Sequence, residues 1–242
     1  MDKLVVAFEV DPFYAQLPKV RAVRSILEYH GFDIHPTMAV VWFGFITKLH
    51  HFLDTVREVA AAGEYSHLMF IDASDVVLLD GPEEVMRRYL AFGHPWVAAA
   101  EPVIWTPGSF TSEEYPTPDC VYRYYNAGAS IGEIGHMLKW VDKWTDGGKR
   151  RPTPLDMTGD GGDQDWFARR FIDDYPDAMI LDHRCELFQC MCHSLAGDQP
   201  RCTMSQGKVH NNVTGTDPIV IHFNGGDDIT APERRGLWQH WI

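Results

Sequence analysis

LMFIDASDVVLL, residues 68–79, sets two aspartates between two core-forming runs. LMFI leads into Asp72 and Asp75, and VVLL follows them. Burying a charge is costly unless it is paired or bound to a metal, so carboxylates in this setting point to a site. A strand ending in Asp-x-x-Asp presents two hard oxygen ligands in one place, which suits Mn²⁺ or Mg²⁺ holding a diphosphate. The competing reading is a strand-end turn with solvated aspartates, because aspartate is a common turn residue.

Strand and helix patterns alternate on both sides of this segment. Residues 4–10 read as a buried strand, and residues 17–30 as a helix with Val20, Val23, Ile26 and Leu27 on one face and Gly31 beyond its end. Residues 34–41 are a second strand candidate, and 48–62 a helix closed by Gly63. A helix over 82–92 has Pro82 at its start and Gly93 past its end, and 96–100 is another strand. Such alternation predicts an α/β fold with a mostly parallel central sheet and helices on both faces. Ligands of such sheets bind beyond the carboxyl ends of the strands, where Asp72 and Asp75 lie.

After about Trp105 the texture changes. Residues 105–120 and 147–162 read as loops, 130–144 and 163–174 as helices, and 179–181 and 219–223 as short strands. No Pro-rich or Gly/Ser-rich linker separates the two parts. The expectation is one domain over 1–242, with a donor- and metal-binding half at 1–104 and an acceptor half at 105–242.

Composition narrows the classes. The 242 residues are 45% hydrophobic, as in an ordinary globule. A formal net charge of −13 argues against passive binding to a phosphate backbone. No run approaches the roughly 20 apolar residues of a membrane span. MDKLVVAFEV enters a strand directly, without the pattern of a secretory signal, and five cysteines is an odd number. Both favour a reducing, cytoplasmic setting over a disulfide framework.

Other segments carry candidate chemistry. PIVIHFNGG ends a strand in His222, then Asn224, Gly225 and Gly226. Imidazole suits Mn²⁺ beside carboxylates, and glycines let the backbone approach a diphosphate; a packed core histidine is the bland alternative. AAAEPVIW delivers Glu101 and Trp105, a carboxylate and a stacking aromatic, in a chain with eight tryptophans that could equally fill the core. YYNAGASIG reads as a tight segment before a helix, with Asn126, Ala127 and Gly128 offering amides to sugar hydroxyls. GDGGDQDW places Asp160, Asp163, Gln164 and Asp165 at a helix start, where aspartate also serves as a cap. Cys185, Cys190, Cys192, His193 and Cys202 are dense enough to raise structural zinc, but lack paired Cys-x-x-Cys spacing.

In order along the chain these segments resemble the glycosyltransferase domain of the procollagen lysyl hydroxylases, a GT-A fold with stand-alone viral relatives. GFITK (44–48) resembles the family's Gly-rich segment ending in lysine, MFIDASDV its Asp-x-x-Asp strand, and AAAEPVIW its Ser-Ala-Glu segment. YYNAGASIG resembles its Asn-Ser-Gly-Gly-Phe-Ile-Gly stretch and DQDWFARRFID its Asp-Gln helix. LDHRCELFQ (181–189) matches closely, and IHFNGG resembles the His-Gly-Asn-Gly terminus. Departures are Ser74 where the family has an aromatic, a thinner acidic run before Gln164, and Phe223 in place of a glycine.

The resemblance implies a UDP-sugar donor, UDP-glucose or UDP-galactose, with Mn²⁺ or Mg²⁺. Asp72, Asp75 and His222 would hold the metal. Lys48, Asp72, Ser74, Asn126, Asn224 and Gly225 would lie on the donor side. Asp163, Gln164, Trp105 and Glu101 would serve transfer where donor and acceptor meet. Asp163 would act as base in an inverting reaction, or stabilise the cationic sugar in a retaining one. The acceptor would be a hydroxylysine-type protein, a glycan, or a hydroxymethylated pyrimidine in viral DNA, with Lys149, Arg150, Arg151, Arg169 and Arg170 as local basic groups. The family's oxygenase part is not in this sequence, so the expected activity is sugar transfer alone, in a microbial or viral protein. Alternatives from the residues themselves are a nucleotide-sugar hydrolase, a nucleotidyltransferase, or a binding module without activity.

Overall fold

The computed structural model describes residues 2–8, 17–35, 44–105, 109–156, 162–192 and 201–224. Gly225, Asp160, His193 and most of the second strand candidate lie outside these residues. The elements are β1 (Leu4–Phe8), α1 (Pro18–Tyr29), β2 (Asp33–Ile34), α2 (Phe45–Ala62), β3 (His67–Ile71), β4 (Val76–Leu78), α3 (Pro82–Ala91) and β5 (Trp96–Glu101). Then follow β6 (Tyr124–Glu133), α4 (Ile134–Thr145), α5 (Gly162–Asp174), β7 (Ile180–Leu181), β8 (Phe188–Cys190), β9 (Cys202–Ser205), β10 (Lys208–Asn211) and β11 (Val220–His222).

Six strands form the central sheet in the order β2-β1-β3-β6-β5-β7. The β1–β2, β1–β3 and β5–β7 ladders are parallel, while β6 runs antiparallel to β3 and β5. β1 (LVVAF) and the LMFI of β3 are continuously apolar because both faces are covered. Val5, Ala7, Leu68 and Phe70 point into a core shared with α2, α4 and α5. Their alternates Leu4, Val6, Phe8, Met69 and Ile71 point into a second core with α1, α3 and Val220. Helix ends follow the local signals: Pro18 and Pro82 open α1 and α3, and Gly63 closes α2 in the left-handed conformation with φ 67°.

The run after Asp75 leaves the central sheet. Its strand β4 joins a three-stranded sheet in the order β4-β11-β8, so the two aspartates occupy the passage from one sheet to the other. The halves expected at 1–104 and 105–242 are interleaved: β6 inserts between β3 and β5, and β11 pairs with β4.

The structure corrects one expectation in the second half. YYNAGASIG is not a tight segment before a helix over 130–144; it is the body of β6, and α4 starts only at Ile134. Its small residues fit a crowded strand. A Cβ on Gly132 would stand 2.9 Å from the Pro95 carbonyl oxygen and 3.0 Å from Met137 Cγ. Glycine inside a strand marks this kind of close approach.

Candidate active site

Three strand ends converge beside the Asp72–Asp75 turn. In the β4–β11 ladder His222 pairs with Val76, which brings the imidazole next to Asp75. The Phe223 N–H donates to the Asp75 carbonyl at 2.8 Å and ties the two ends together. On the other side the Asp72 N–H donates to the Gly128 carbonyl at 2.9 Å, fixing the turn to β6.

His222 Nε2 stands 3.4 Å from Asp72 Oδ2 and 3.6 Å from Asp75 Oδ1. Its Nδ1 lies 2.9 Å from Asn126 Oδ1, and that same oxygen accepts from the Gly128 N–H at 2.9 Å. Asn126 thus sets the ring's orientation and leaves Nε2 facing the carboxylates. Burial works to keep the imidazole neutral, but Asp75 and Asp72 outweigh it and raise its pKa to about 10. Asp75 Oδ1 is buried and has no hydrogen-bond partner among the described residues.

These features fit a hard divalent cation. One ligand atom each from Asp72, Asp75 and His222 lies within 4.8 Å of the others. Two carboxylate oxygens and an imidazole nitrogen suit Mn²⁺ or Mg²⁺. An orphaned buried oxygen and an imidazole drawn toward two anions mark where positive charge is wanted.

The fit of the His222 ring depends on Gly128, since a Cβ there would lie 2.0 Å from His222 Cε1. Gly128→Ala is therefore expected to displace the imidazole. Overpacking of this kind costs about 1–3 kcal/mol, and Mn²⁺ affinity should fall at least about tenfold, as when a metal ligand loses its orientation. Mn²⁺ titration beside thermal unfolding measures both, and unchanged Mn²⁺ affinity would remove His222 from the ligand set.

Lys48 joins the two sides of the site. Its ammonium is 2.6 Å from Asp72 Oδ1 and 2.9 Å from Asp163 Oδ2. Burial disfavours the ammonium, but Asp163 and Asp72 together raise its pKa above the usual lysine range. Burial likewise opposes ionisation of Asp72, and Lys48 and His222 reverse that, lowering its pKa below the ordinary range. At Asp163 burial prevails over Lys48 and the pKa is raised.

Glu101 ends β5 fully buried, at 0% exposure. Gln164 Nε2 donates to its Oε1 at 2.6 Å, Asn224 Nδ2 to its Oε2 at 2.9 Å, and the Cys192 thiol faces Oε2 at 3.6 Å. Burial raises its pKa to about 7, although the hydrogen bonds of Gln164, Asn126 and Cys192 hold it down. A carboxyl whose pKa rises from 4.5 to about 7 on folding stabilises the protein below pH 4.5, and that contribution is lost as pH rises through 7. Between pH 5 and 8 the wild type should lose thermal stability relative to Glu101→Gln, which cannot titrate. A constant difference between the two proteins across that range would mean that Glu101 is ionised throughout.

The cleft these residues enclose has a volume of about 300 Å³. Its lining includes Lys48, Asp72, Asp75, Glu101, Trp105, Asn126, Asp163, Gln164, His222 and Asn224. Of the candidate site residues within the described part of the chain, Ser74 and Asp165 are not in this lining. Ala127, Gly128 and Phe45 complete the lining. Phe45 was not anticipated, because its place in GFITK gives no local sign that its ring faces a cleft. Trp105 is half-exposed, unlike Trp96, Trp140, Trp144 and Trp166, which fill the core.

Other sequence features take structural roles. Cys185, Cys190, Cys192 and Cys202 are buried. Asp182, in the LDHRCELFQ segment, accepts from the N–H groups of Glu186, Leu187 and Phe188 at 2.8–2.9 Å and shapes the entry to β8. Three of the basic groups are paired: Arg150 with Asp156, Arg151 with Asp54, and Arg169 with Glu114. No helix among the described residues is long and apolar enough to cross a membrane.

Comparison with known proteins places this arrangement. Residues 43–231 match the family model of the PLOD GT domain. The chain belongs to that family of glycosyltransferase domains. It is 28% identical over 178 residues to mouse procollagen-lysine,2-oxoglutarate 5-dioxygenase 2, covering 72% of this chain and 22% of that protein. It is 32% identical over 165 residues to an uncharacterized protein of Acanthamoeba polyphaga mimivirus, covering 65% of this chain and 31% of that one. With the human multifunctional procollagen lysine hydroxylase and glycosyltransferase LH3 it shares 26% identity over 163 residues, 65% of this chain and 20% of that protein. The match therefore spans less than a third of each of these relatives. Among solved structures, a glycosyltransferase involved in glycosylation of the major capsid of PBCV-1 aligns over 99% of this chain and 98% of its own, with TM-score 0.55 and 11% identity. The fold is thus GT-A.

Proposed function

We propose that this family member transfers a hexosyl group from a UDP-sugar, UDP-glucose or UDP-galactose, to a hydroxyl acceptor, with Mn²⁺ or Mg²⁺ held by Asp72, Asp75 and His222. The observation that carries the reading is the Asp72–Asp75–His222 triad at the floor of an acid-lined cleft, in a chain of this family. A bound cation supplies Lewis-acid stabilisation of charge on the departing diphosphate.

The chain's own residues divide the remaining work. Asn126 keeps the imidazole turned toward the carboxylates. Lys48 holds Asp72 and Asp163 in fixed relation, so that donor and acceptor groups are positioned before reaction. Asp163 serves the acceptor half-reaction, its carboxylate receiving the proton of the attacking hydroxyl. Burial strengthens it as a base by raising its pKa. Glu101 has both oxygens engaged, and it acts by fixing Gln164 and Asn224 in the cleft wall.

Calorimetric titration with UDP, with and without Mn²⁺, tests the donor reading. Micromolar binding that appears only with Mn²⁺ is the expected result, and metal-independent binding would dissolve the shared site. An assay of UDP release from UDP-sugars without acceptor separates transfer from hydrolysis. Rapid release under those conditions would make the protein a hydrolase.

A further inference from the structure

We propose that Asp182 and Arg88 are positioning residues for the metal site: from the far end of the β4-β11-β8 sheet they fix the register of β8 and β11, and through it the place of the His222 imidazole. The inference rests on the metal reading above and extends it to residues outside the cleft.

The three metal ligands come from two sheets. Asp72 follows β3 of the central sheet, whereas His222 ends β11 of the small one. Their meeting depends on the register of β11, and burial alone does not select it. Ile219, Val220, Ile221 and Phe223 are all buried, as are Leu187, Phe188, Cys190 and Met191 along β8. A strand apolar on both faces keeps its burial when it slips by one residue, yet the slip turns every side chain to the opposite face. His222 would then point away from Asp72 and Asp75. Backbone ladder bonds form in any register, so side-chain bonds to particular peptides mark the right one. At the cleft end Asn126 and Asn224 do this, through His222 Nδ1 and the Cys192 N–H. At the other end the marks come from Asp182 and Arg88.

Both side chains converge on Glu186, at the entry to β8. Asp182 is fully buried and accepts from the Glu186 N–H at 2.9 Å, the Leu187 N–H at 2.8 Å and the Phe188 N–H at 2.9 Å. Its own N–H donates to the Ala98 carbonyl of β5 at 2.9 Å, so it joins the small sheet to the central one. Arg88 Nη1 donates to the Glu186 carbonyl at 2.8 Å and to the Asp217 carbonyl at 2.6 Å. One guanidinium thereby sets the entry to β8 beside the entry to β11. The Leu187 carbonyl then receives the Val220 N–H at 2.9 Å, and Cys190 comes opposite His222.

Two further contacts fit this role. Glu84 Oε1 accepts from Arg88 Nε at 2.7 Å and directs the guanidinium. The helix that carries Arg88, α3, follows β4 in the chain. Arg88 therefore also ties the segment leaving Asp75 to the strand that brings His222.

Arg88→Ala and Asp182→Asn test this, with Val141→Ala as a control that loosens the core under α4 instead. Mn²⁺ affinity is measured with UDP present, well below the unfolding temperature of each variant. The His222 imidazole is followed without metal by proton–nitrogen correlation NMR. Arg88→Ala and Asp182→Asn should each weaken Mn²⁺ binding about tenfold, the lower end of the loss seen when the support of a metal ligand is removed. Both should shift the His222 signals. Arg88→Lys, which keeps one donor for the carbonyls, should recover part of the affinity. Val141→Ala should lose stability yet keep wild-type Mn²⁺ affinity and wild-type His222 signals. The proposal is overturned if the folded variants bind Mn²⁺ as wild type does, if affinity falls without a change at His222, or if Val141→Ala weakens Mn²⁺ binding equally. Should Asp182→Asn fail to fold, Arg88→Ala decides alone. Absence of Mn²⁺ binding to wild type is a different result; it removes the metal reading and this proposal with it.

Discussion

Asp75→Ala is expected to abolish Mn²⁺-dependent UDP binding and sugar transfer while the protein stays folded. The Asp75 side chain makes no hydrogen bond through Oδ1, and its structural contact, the bond from the Phe223 N–H, goes to its backbone carbonyl. Truncation at Cβ leaves that bond in place. It also removes one of two carboxylates crowded around His222. Those carboxylates hold the imidazole protonated, so without metal the variant should unfold cooperatively at a somewhat lower temperature than the wild type. Outer partners of metal ligands cost 10–100-fold when lost, so removal of a ligand itself should exceed about 100-fold in metal affinity. Calorimetry with UDP and Mn²⁺, beside a thermal unfolding scan, measures both. A folded variant that still binds UDP only in the presence of Mn²⁺ would exclude Asp75 from the metal site.

Asp163→Asn should separate donor binding from turnover. The substitution keeps the shape and removes the charge. An interaction used mainly in the transition state lowers turnover without changing ground-state affinity. UDP-sugar affinity should stay within a few-fold of wild type, and the rate should fall roughly 100-fold or more, the scale of a positioned base. Lys48 keeps its contact with Asp72, so the metal side of the site survives the change. Loss of donor affinity in proportion to rate would move Asp163 to the donor side. Full activity would reduce it to a helix-capping residue.

Much of the fold and part of the site are legible along the chain, for a local reason. The run LMFI followed by aspartates states a strand and what lies at its end, because a strand buried on both faces must be continuously apolar and a carboxylate can enter only where the sheet stops. The Pro and Gly boundaries of α1, α2 and α3 are equally local, set by backbone sterics within one turn. Asp72, Asp75 and Asp163 are therefore visible as candidates in the sequence, whereas Lys48 is named through the resemblance of GFITK to the family.

What lies across strands was not. His222 is named as a metal ligand through the resemblance of IHFNGG, but its neighbours in sequence alone do not distinguish a ligand from a core residue. The antiparallel register of β11 on β4 places His222 opposite Val76 and so beside Asp75. Glycines 128 and 132 give no local sign of a strand, and the atoms pressed against them come from distant segments. Glu101 reads as a free acid, yet its oxygens are taken by Gln164 from α5 and Asn224 from beyond β11. Phe45 reads as an ordinary helix-start residue until α5 meets it. Local sterics and apolar periodicity act within a few residues and can be read in order. Ligand geometry, close backbone approach and partnering of buried charge arise between segments far apart in the chain, and folding alone brings them together.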